Sequence, residues 1–481
     1  MPSKKLQSLL NTFSSQKLAR FRKYLLSPYY NENPELVAIY DLLIKSRNRF
    51  LVENGENTII QKRAVWAQLF DKQPYEDATM RRLLSELIQH ALHFLAQENL
   101  NTKPIQAHLF LLEVLKDFNL PLHFNGVIRQ INTLQEKSAV KNSDFYFYQY
   151  QLEEKLYQQI EHLARSPDML INLESANLYL DRYYVNKKLK YYCDLIGYQD
   201  FLSFELDHQP ILDFIESPLV QKHIKEPTIQ AYWLTAQMLF NPLQESLFIQ
   251  LKDHLNRSNQ LINESERKLF YIHLINYCIH KKLNIGKLEF FSELFDLLKS
   301  TIEEGILLEN DILPAPPYKL IISVGIQVKE FTWTEAFIQT YTPKLPPEER
   351  DNALTYNLAK VYFAQQRYEK VIEQLREVEY ENLTYALGGK LLLLKTYYEL
   401  SEFLALDSLV DSFRMYLRRN QTISKEVRQQ YLNVLRFIKK MSNVRPGDLA
   451  AVAKIEQQIQ GCKNLADKGW IVQKAEELKG R

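Results

Sequence analysis

The stretch 353–378, ALTYNLAKVYFAQQRYEKVIEQLREV, decides how the rest of the chain is read. Its positions Leu358, Ala359, Tyr362, Tyr368, Val371, Leu375 and Val378 return 35 residues later as Leu393, Leu394, Tyr397, Phe403, Leu406, Val410 and Phe413. The same step backwards lands on Val324, Trp333 and Ala336. A period of this length marks one supersecondary unit repeated. Its physical sense is a pair of antiparallel helices that cross closely at small residues, with aromatic side chains filling the gap between successive pairs. On this register Trp333, Tyr368 and Phe403 are equivalent, as are Ala336, Val371 and Leu406.

Over about residues 315–415 the pattern resembles the tetratricopeptide-repeat family, although Val371 and Leu406 are bulkier than the alanine which that family favours at the crossing. The resemblance implies an α-α superhelix, a right-handed solenoid of antiparallel helical hairpins whose concave groove takes up a peptide or a partner helix. Polar positions on the first helices of such repeats often line the groove. Here they are Asn357, Lys360 and Lys395, the candidate partner-binding residues.

Outward from the repeats, helix-length segments alternate with short turns carrying Pro, Asn, Asp or Ser. Asn33-Pro34-Glu35, Ser166-Pro167-Asp168, Ser217-Pro218 and Asn241-Pro242 each pair a capping residue with a proline at the first helical position, where its missing N–H costs nothing. With 12 glycines and 18 prolines in 481 residues and no sheet-rich segment, the expected class is all-α. The length exceeds what one core supports. We expect an N-terminal helical domain over 1–100, irregular solenoid over 101–313, repeats over 314–442 and capping helices over 443–481. The breaks are marked by Pro314, Pro316 and Pro317 and by Pro446-Gly447.

Sixty basic side chains nearly balance 58 acidic ones, so there is no global field of the kind that drives nonspecific nucleic-acid binding. Cys193, Cys278 and Cys462 lie far apart and form neither a disulfide framework nor a zinc module. No apolar run approaches the roughly 20 residues of a membrane span, and the expected location is cytoplasmic. Residues 3–25 carry six Lys/Arg and no acid, a composition shared with transit peptides. Leu6, Leu9, Leu10 and Phe13, then Leu18, Phe21 and Leu25, recur at helical spacing and predict two core-facing helices instead.

Residues 58–97 offer a second reading. A helix ending near Trp66, Leu69 and Phe70, a turn over residues 71–77, and a helix with Arg81, Arg82, Leu83, Leu84, Leu87 and Ile88 resemble the helix-turn-helix half of bacterial winged-helix regulators. That resemblance implies base or phosphate contacts by Arg81 and Arg82. It departs from the family after residue 99, where another apolar helix, Ile105 to Phe118, stands in place of the β-hairpin wing.

Other chemistry is thinly marked. Glu86, His90 and His93 share a helical face, but no second ligand source is evident. His273, Cys278 and His280 lack the spacing of a zinc site, and Glu205-x-x-His208 is the chain's only Glu-x-x-His, whereas di-iron bundles use that motif on two helices with two further glutamates. Tyrosines and lysines interleave from Arg182 to Tyr192 but spread around a helix. No phosphate loop, nucleophile elbow or zinc-protease motif occurs. The expectation is a noncatalytic protein-protein interaction scaffold, without cofactor or metal, that presents a concave surface to a peptide or protein partner. The alternative is a DNA-binding regulator that uses the N-terminal helical pair.

Overall fold

The computed structural model describes residues 2–45, 57–70, 73–137, 140–160, 168–199, 202–350, 352–375, 383–445 and 447–480. Among them all regular structure is helical apart from one isolated bridge, Glu309 with Ile312. Two compact units, Met1–Tyr184 and Val185–Arg481, divide the chain.

The first unit contains α1 (Pro2–Asn11), α2 (Ser15–Leu25), α3 (Pro34–Lys45), α4 (Asn57–Leu69), α5 (Asp77–Asn101), α6 (Pro104–Asp117), α7 (Pro121–Glu136) and α8 (Ser143–Ile160). It ends within α9 (Asp168–Tyr198). The centre of this unit is α5, whose 25 residues hold neither glycine nor proline and bury Met80, Leu83, Leu84, Leu87, Ala91 and Phe94 at the spacing of one helical face. Against it pack α1, α2 and α3, around Phe21, Leu36 and Ile39. The basic side chains Lys4, Lys5, Arg20, Arg22 and Lys23 stay outside. Asn33 caps as the sequence predicts, its Oδ1 accepting from Glu35 N–H, and Ser14 Oγ likewise accepts from Lys17 N–H. Leu109, Leu112, Phe124, Val127, Ile131 and Leu152 make a separate core between α6, α7 and α8.

The second unit continues with α10 (Gln209–Ile215), α11 (Pro218–His223), α12 (Pro227–Phe240), α13 (Glu245–Arg257), α14 (Glu264–Asn276) and α15 (Phe290–Glu303). Then come α16 (Ala315–Gln327), α17 (Phe331–Tyr341), α18 (Pro347–Arg350), α19 (Ala353–Ala364), α20 (Tyr368–Leu375), α21 (Leu383–Glu399) and α22 (Phe403–Arg419). The last are α23 (Lys425–Ser442), α24 (Leu449–Gln460) and α25 (Lys468–Glu477). Packing is chiefly between helices adjacent in sequence. One α-helical run is interrupted: α14 passes into a π-helical turn, Tyr277–Lys282, and a 3-10 turn, Leu283–Ile285.

Three hairpins close by the same turn. Lys329, Gln366 and Ser401 adopt left-handed backbone, with φ of 63°, 61° and 58°. The N–H of the next residue (Glu330, Arg367, Glu402) donates to the carbonyl five positions back, that of Gly325, Tyr362 and Tyr397. This satisfies carbonyls that a helix end leaves free. Asn119 (φ 52°) closes α6 onto α7 identically, with Leu120 N–H donating to Leu115 O.

These left-handed residues lie 37 and then 35 positions apart, so hairpins aligned on their turns take a different register from the one expected from a uniform step. Phe331, and not Trp333, stands where Tyr368 and Phe403 stand. Thr334 matches the buried Val371 and Leu406, whereas Ala336 is exposed. The two added residues fall between Ile338 and Ala359, in the link that holds a 3-10 turn and α18. The close crossing of α16 and α17 is made by Gly325, where a Cβ would collide with Thr334 Oγ1.

Two further expectations bear on local structure. Asn241-Pro242 ends α12 rather than opening a helix: Asn241 is its C-cap, and α13 begins at Glu245. Ser166-Pro167, Val378 and Pro446 lie outside the described residues.

Candidate functional site

Asn357, Lys360 and Lys395 lie on α19 and α21, the first helices of their hairpins, and packing treats each differently. Asn357 is buried, with Nδ2 donating to Ala353 O at 2.8 Å. Lys395 Nζ donates to Asp467 Oδ2 at 2.7 Å and lies 4.6 Å from the Phe363 ring and 5.3 Å from the Trp470 ring. Lys360, one turn on from Asn357, is half-buried over the Tyr356 ring at 6.0 Å. No carboxylate pairs with it among the described residues. Burial, and secondarily the charge of Lys395, lowers the Lys360 pKa. The fold thus brings Lys360 and Lys395 together and withdraws Asn357.

Part of this face is covered by the chain's own α25. The Trp470 indole N–H donates to Glu399 Oε1 at 3.0 Å, and the ring meets Tyr398 edge-on at 5.5 Å. Lys474 pairs with Glu399 at 2.9 Å and Glu477 at 2.8 Å. Burial pulls its ammonium pKa down, but hydrogen bonds to the two carboxylates more than offset this and leave it raised. Residues 395–399 of α21 are therefore occupied.

Beyond that contact the face carries a tyrosine cluster. Tyr356 and Tyr385 meet edge-on at 5.4 Å, in space left by Gly388 beside the Tyr356 hydroxyl. Lys319 lies 5.9 Å from the Tyr385 ring. The Tyr385 hydroxyl is buried with no hydrogen-bond partner among the described residues. Burial pushes the Tyr356 phenol up to about 12. An unpaired ammonium and an unsatisfied hydroxyl are groups that a bound chain can complete.

Arg81 and Arg82 sit in the first two turns of α5 with side chains 63% and 62% exposed, but both are ion-paired within the helix. Arg81 meets Asp77, and Arg82 meets Glu86 at 3.2 Å. Asp77 also accepts from the Tyr75 hydroxyl at 2.7 Å, the main cause of its lowered pKa. Nearby, Lys62 is buried 3.7 Å from Asp77, and Arg63 lies over the Tyr75 ring at 5.3 Å. Positive charge here is largely answered by acids. No strand follows α5; α6 takes the place of a wing. Positions 71–72 of the intervening turn lie outside the described residues.

Histidines are drawn into packing. His93 Nδ1 shares a hydrogen bond with the Tyr24 hydroxyl at 2.6 Å, and burial lowers the His90 pKa. His273 is pushed down to about 4 by burial, and the Cys278 thiol up to about 12. Among the described residues no group of three His, Cys, Asp or Glu is placed to hold a metal ion, and no helix is long and apolar enough to cross a membrane. In the Arg182–Tyr192 stretch Tyr184 and Tyr191 are exposed, while Lys188 packs over Tyr192 and Phe214 at 5.6 and 4.9 Å.

One feature escaped the sequence reading. Between α23 and α24 lies a hollow of about 710 Å³ whose twelve lining residues include six cations, Arg414, Arg436, Lys439, Lys440, Arg445 and Lys454, and one acid, Asp448. These cations come from three helices and a loop, so only their spacing on α23 (Arg436, Lys439, Lys440) hints at a common face. No model of a known protein family matches the chain, and searches of curated proteins and of solved structures find no match either.

Proposed function

We propose that this protein is a noncatalytic interaction scaffold: a tetratricopeptide-like array of helical hairpins in the second unit that binds a peptide or helix of a protein partner along its first helices. The single observation that carries the reading is Lys360, a half-buried ammonium without a carboxylate, set over the Tyr356 ring, which in turn meets the ring of Tyr385 with its unsatisfied hydroxyl. Retaining an uncompensated buried charge costs stability, and a partner's acidic group removes that cost. The recurring left-handed turns at Lys329, Gln366 and Ser401 support the array. Seating of α25 on α21 supplies an example, within the chain, of a helix held by this face.

The test is capture from native lysate by the full chain and by its Lys360→Glu variant, with Arg81→Ala/Arg82→Ala alongside and bound DNA quantified at low and high salt. A protein retained by wild type and lost from Lys360→Glu supports the scaffold. Equal capture by both, or DNA retained at low salt and lost from the arginine variant, overturns it; the DNA outcome makes the N-terminal helical pair the functional site.

A further inference from the structure

The C-terminal hollow is a built electrostatic feature rather than scattered surface charge. Along α23, Arg436, Lys439, Lys440 and Asn443 fall on one helical face. From α24, Lys454, Ile455 and Gln458 face them, and Arg445 and Asp448 close the end. A second hollow of about 660 Å³ continues it, sharing Arg436, Lys440 and Gln458 and adding Gln429, Asn433, Lys463 and Asn464. The two form one open trough. From Gln429 on α23 to its C-cap Asn443 it extends about 21 Å at 1.5 Å per residue, the length of six or seven extended residues.

Little within the trough neutralises it. Lys439 meets Asp407 at 3.4 Å and Arg414 meets Asp411 at 3.0 Å. Arg436 rests on the Phe437 ring at 4.7 Å, and Lys440 bonds only the amide of Gln458. Arg445, Lys454 and Lys463 have no carboxylate partner among the described residues. The one acid, Asp448, is committed to capping α24 by accepting from Ala451 N–H at 2.9 Å. Favourable placement of cations near the last turn of α23 accounts for Lys439 and Lys440 alone, leaving Arg445, Lys454 and Lys463 unexplained.

We propose that this trough binds an acidic peptide segment of a protein partner, about six or seven residues rich in Asp and Glu. No aromatic ring lines it, so nucleic-acid bases find no stacking platform. Its carboxamides offer acceptors as well as donors. A peptide backbone has both N–H and C=O to match them, whereas a polyphosphate brings acceptors only. The inference deepens the scaffold reading by naming a partner chemistry, at residues separate from Lys360.

The test is fluorescence anisotropy of the full chain with a labelled octaglutamate peptide and a labelled oligothymidylate of fifteen nucleotides, at low and at physiological salt. Octaglutamate binding that falls at least tenfold in Arg436→Glu/Lys440→Glu/Lys454→Glu and less than twofold in Arg81→Glu/Arg82→Glu supports the proposal. If the triple variant loses helicity, Arg436→Gln/Lys454→Gln replaces it, with at least a threefold fall expected. No binding to wild type, binding by the trough variants undiminished from wild type, or oligothymidylate bound tighter than the peptide overturns it. Lysate capture that depends on Lys360 but persists in the trough variants would leave the scaffold standing while this inference fails.

Discussion

A side-chain ammonium with no exposed surface needs an acid within reach, and Lys282 has one. Its Nζ lies 2.6 Å from Glu245 and over the rings of Tyr277 and Phe290 at 5.3 and 5.1 Å. Because Glu245 is itself 39% exposed, replacing it with Gln should cost about 1–2 kcal/mol, between the values for exposed and buried pairs, measured by urea melts at neutral pH. Hydrogen bonds from Lys282 and then Lys287 hold the Glu245 carboxyl below its ordinary pKa of 4.5. A carboxylate depressed on folding stabilises above its unfolded pKa and loses that contribution as pH falls through its folded one. Stability should therefore drop below about pH 4.5, with a shallower acid slope in Glu245→Gln. Lys360 has the opposite sign. Its pKa is lowered on folding, so the charged form opposes folding at neutral pH, and Lys360→Met should stabilise by about 0.5–1 kcal/mol in thermal melts while weakening partner capture. Lys360 and Lys395 were legible in the sequence as polar positions on first helices. Lys282 was not, because His280-Lys281-Lys282 reads as a solvated run until a π-helical turn changes which side chains point inward.

At the scale of elements, the hairpin α16–α17 depends on a glycine that has no side chain where Thr334 Oγ1 sits, and that hydroxyl is itself fixed by donating to Glu330 O at 2.7 Å. Gly325→Ala should destabilise by about 1–3 kcal/mol through overpacking. Thr334→Ala in the same chain should recover part of the loss, a coupling that a double-mutant cycle of thermal melts reads directly. The turns predict the reverse for added glycine: Lys329→Gly or Gln366→Gly should stabilise by up to about 1 kcal/mol, since each residue now sits in left-handed backbone. The same turns explain the register error. Their geometry is carried by backbone hydrogen bonds, and Lys, Gln and Ser at the left-handed position leave no glycine signature in the sequence. A uniform step of 35 then placed Trp333 and Ala336 two residues late.

For the molecule as a whole, composition made the all-helical class legible, since so few glycines and prolines leave room for little else. The division at Tyr184 and Val185 falls inside α9, where no helix breaker marks it. The trough was hidden for a related reason: net charge and local charge differ, and cations spaced over some fifty residues meet only after folding. Ending the chain at Asn464 should strip Trp470 and Lys474 from Glu399 and strip Asp467 from Lys395. Calorimetry should show a lower Tm, and the freed face should capture more partner.

The turns at Asn119, Lys329, Gln366 and Ser401 also bear on how the chain reaches this state. Each joins two helices that meet within some thirty residues of one another, so the entropy lost in closing each hairpin is small. Chains dominated by such local closures fold quickly and have no single obligatory nucleus. A lesion such as Gly325→Ala should then speed opening of its own hairpin while amides in distant ones keep their exchange protection.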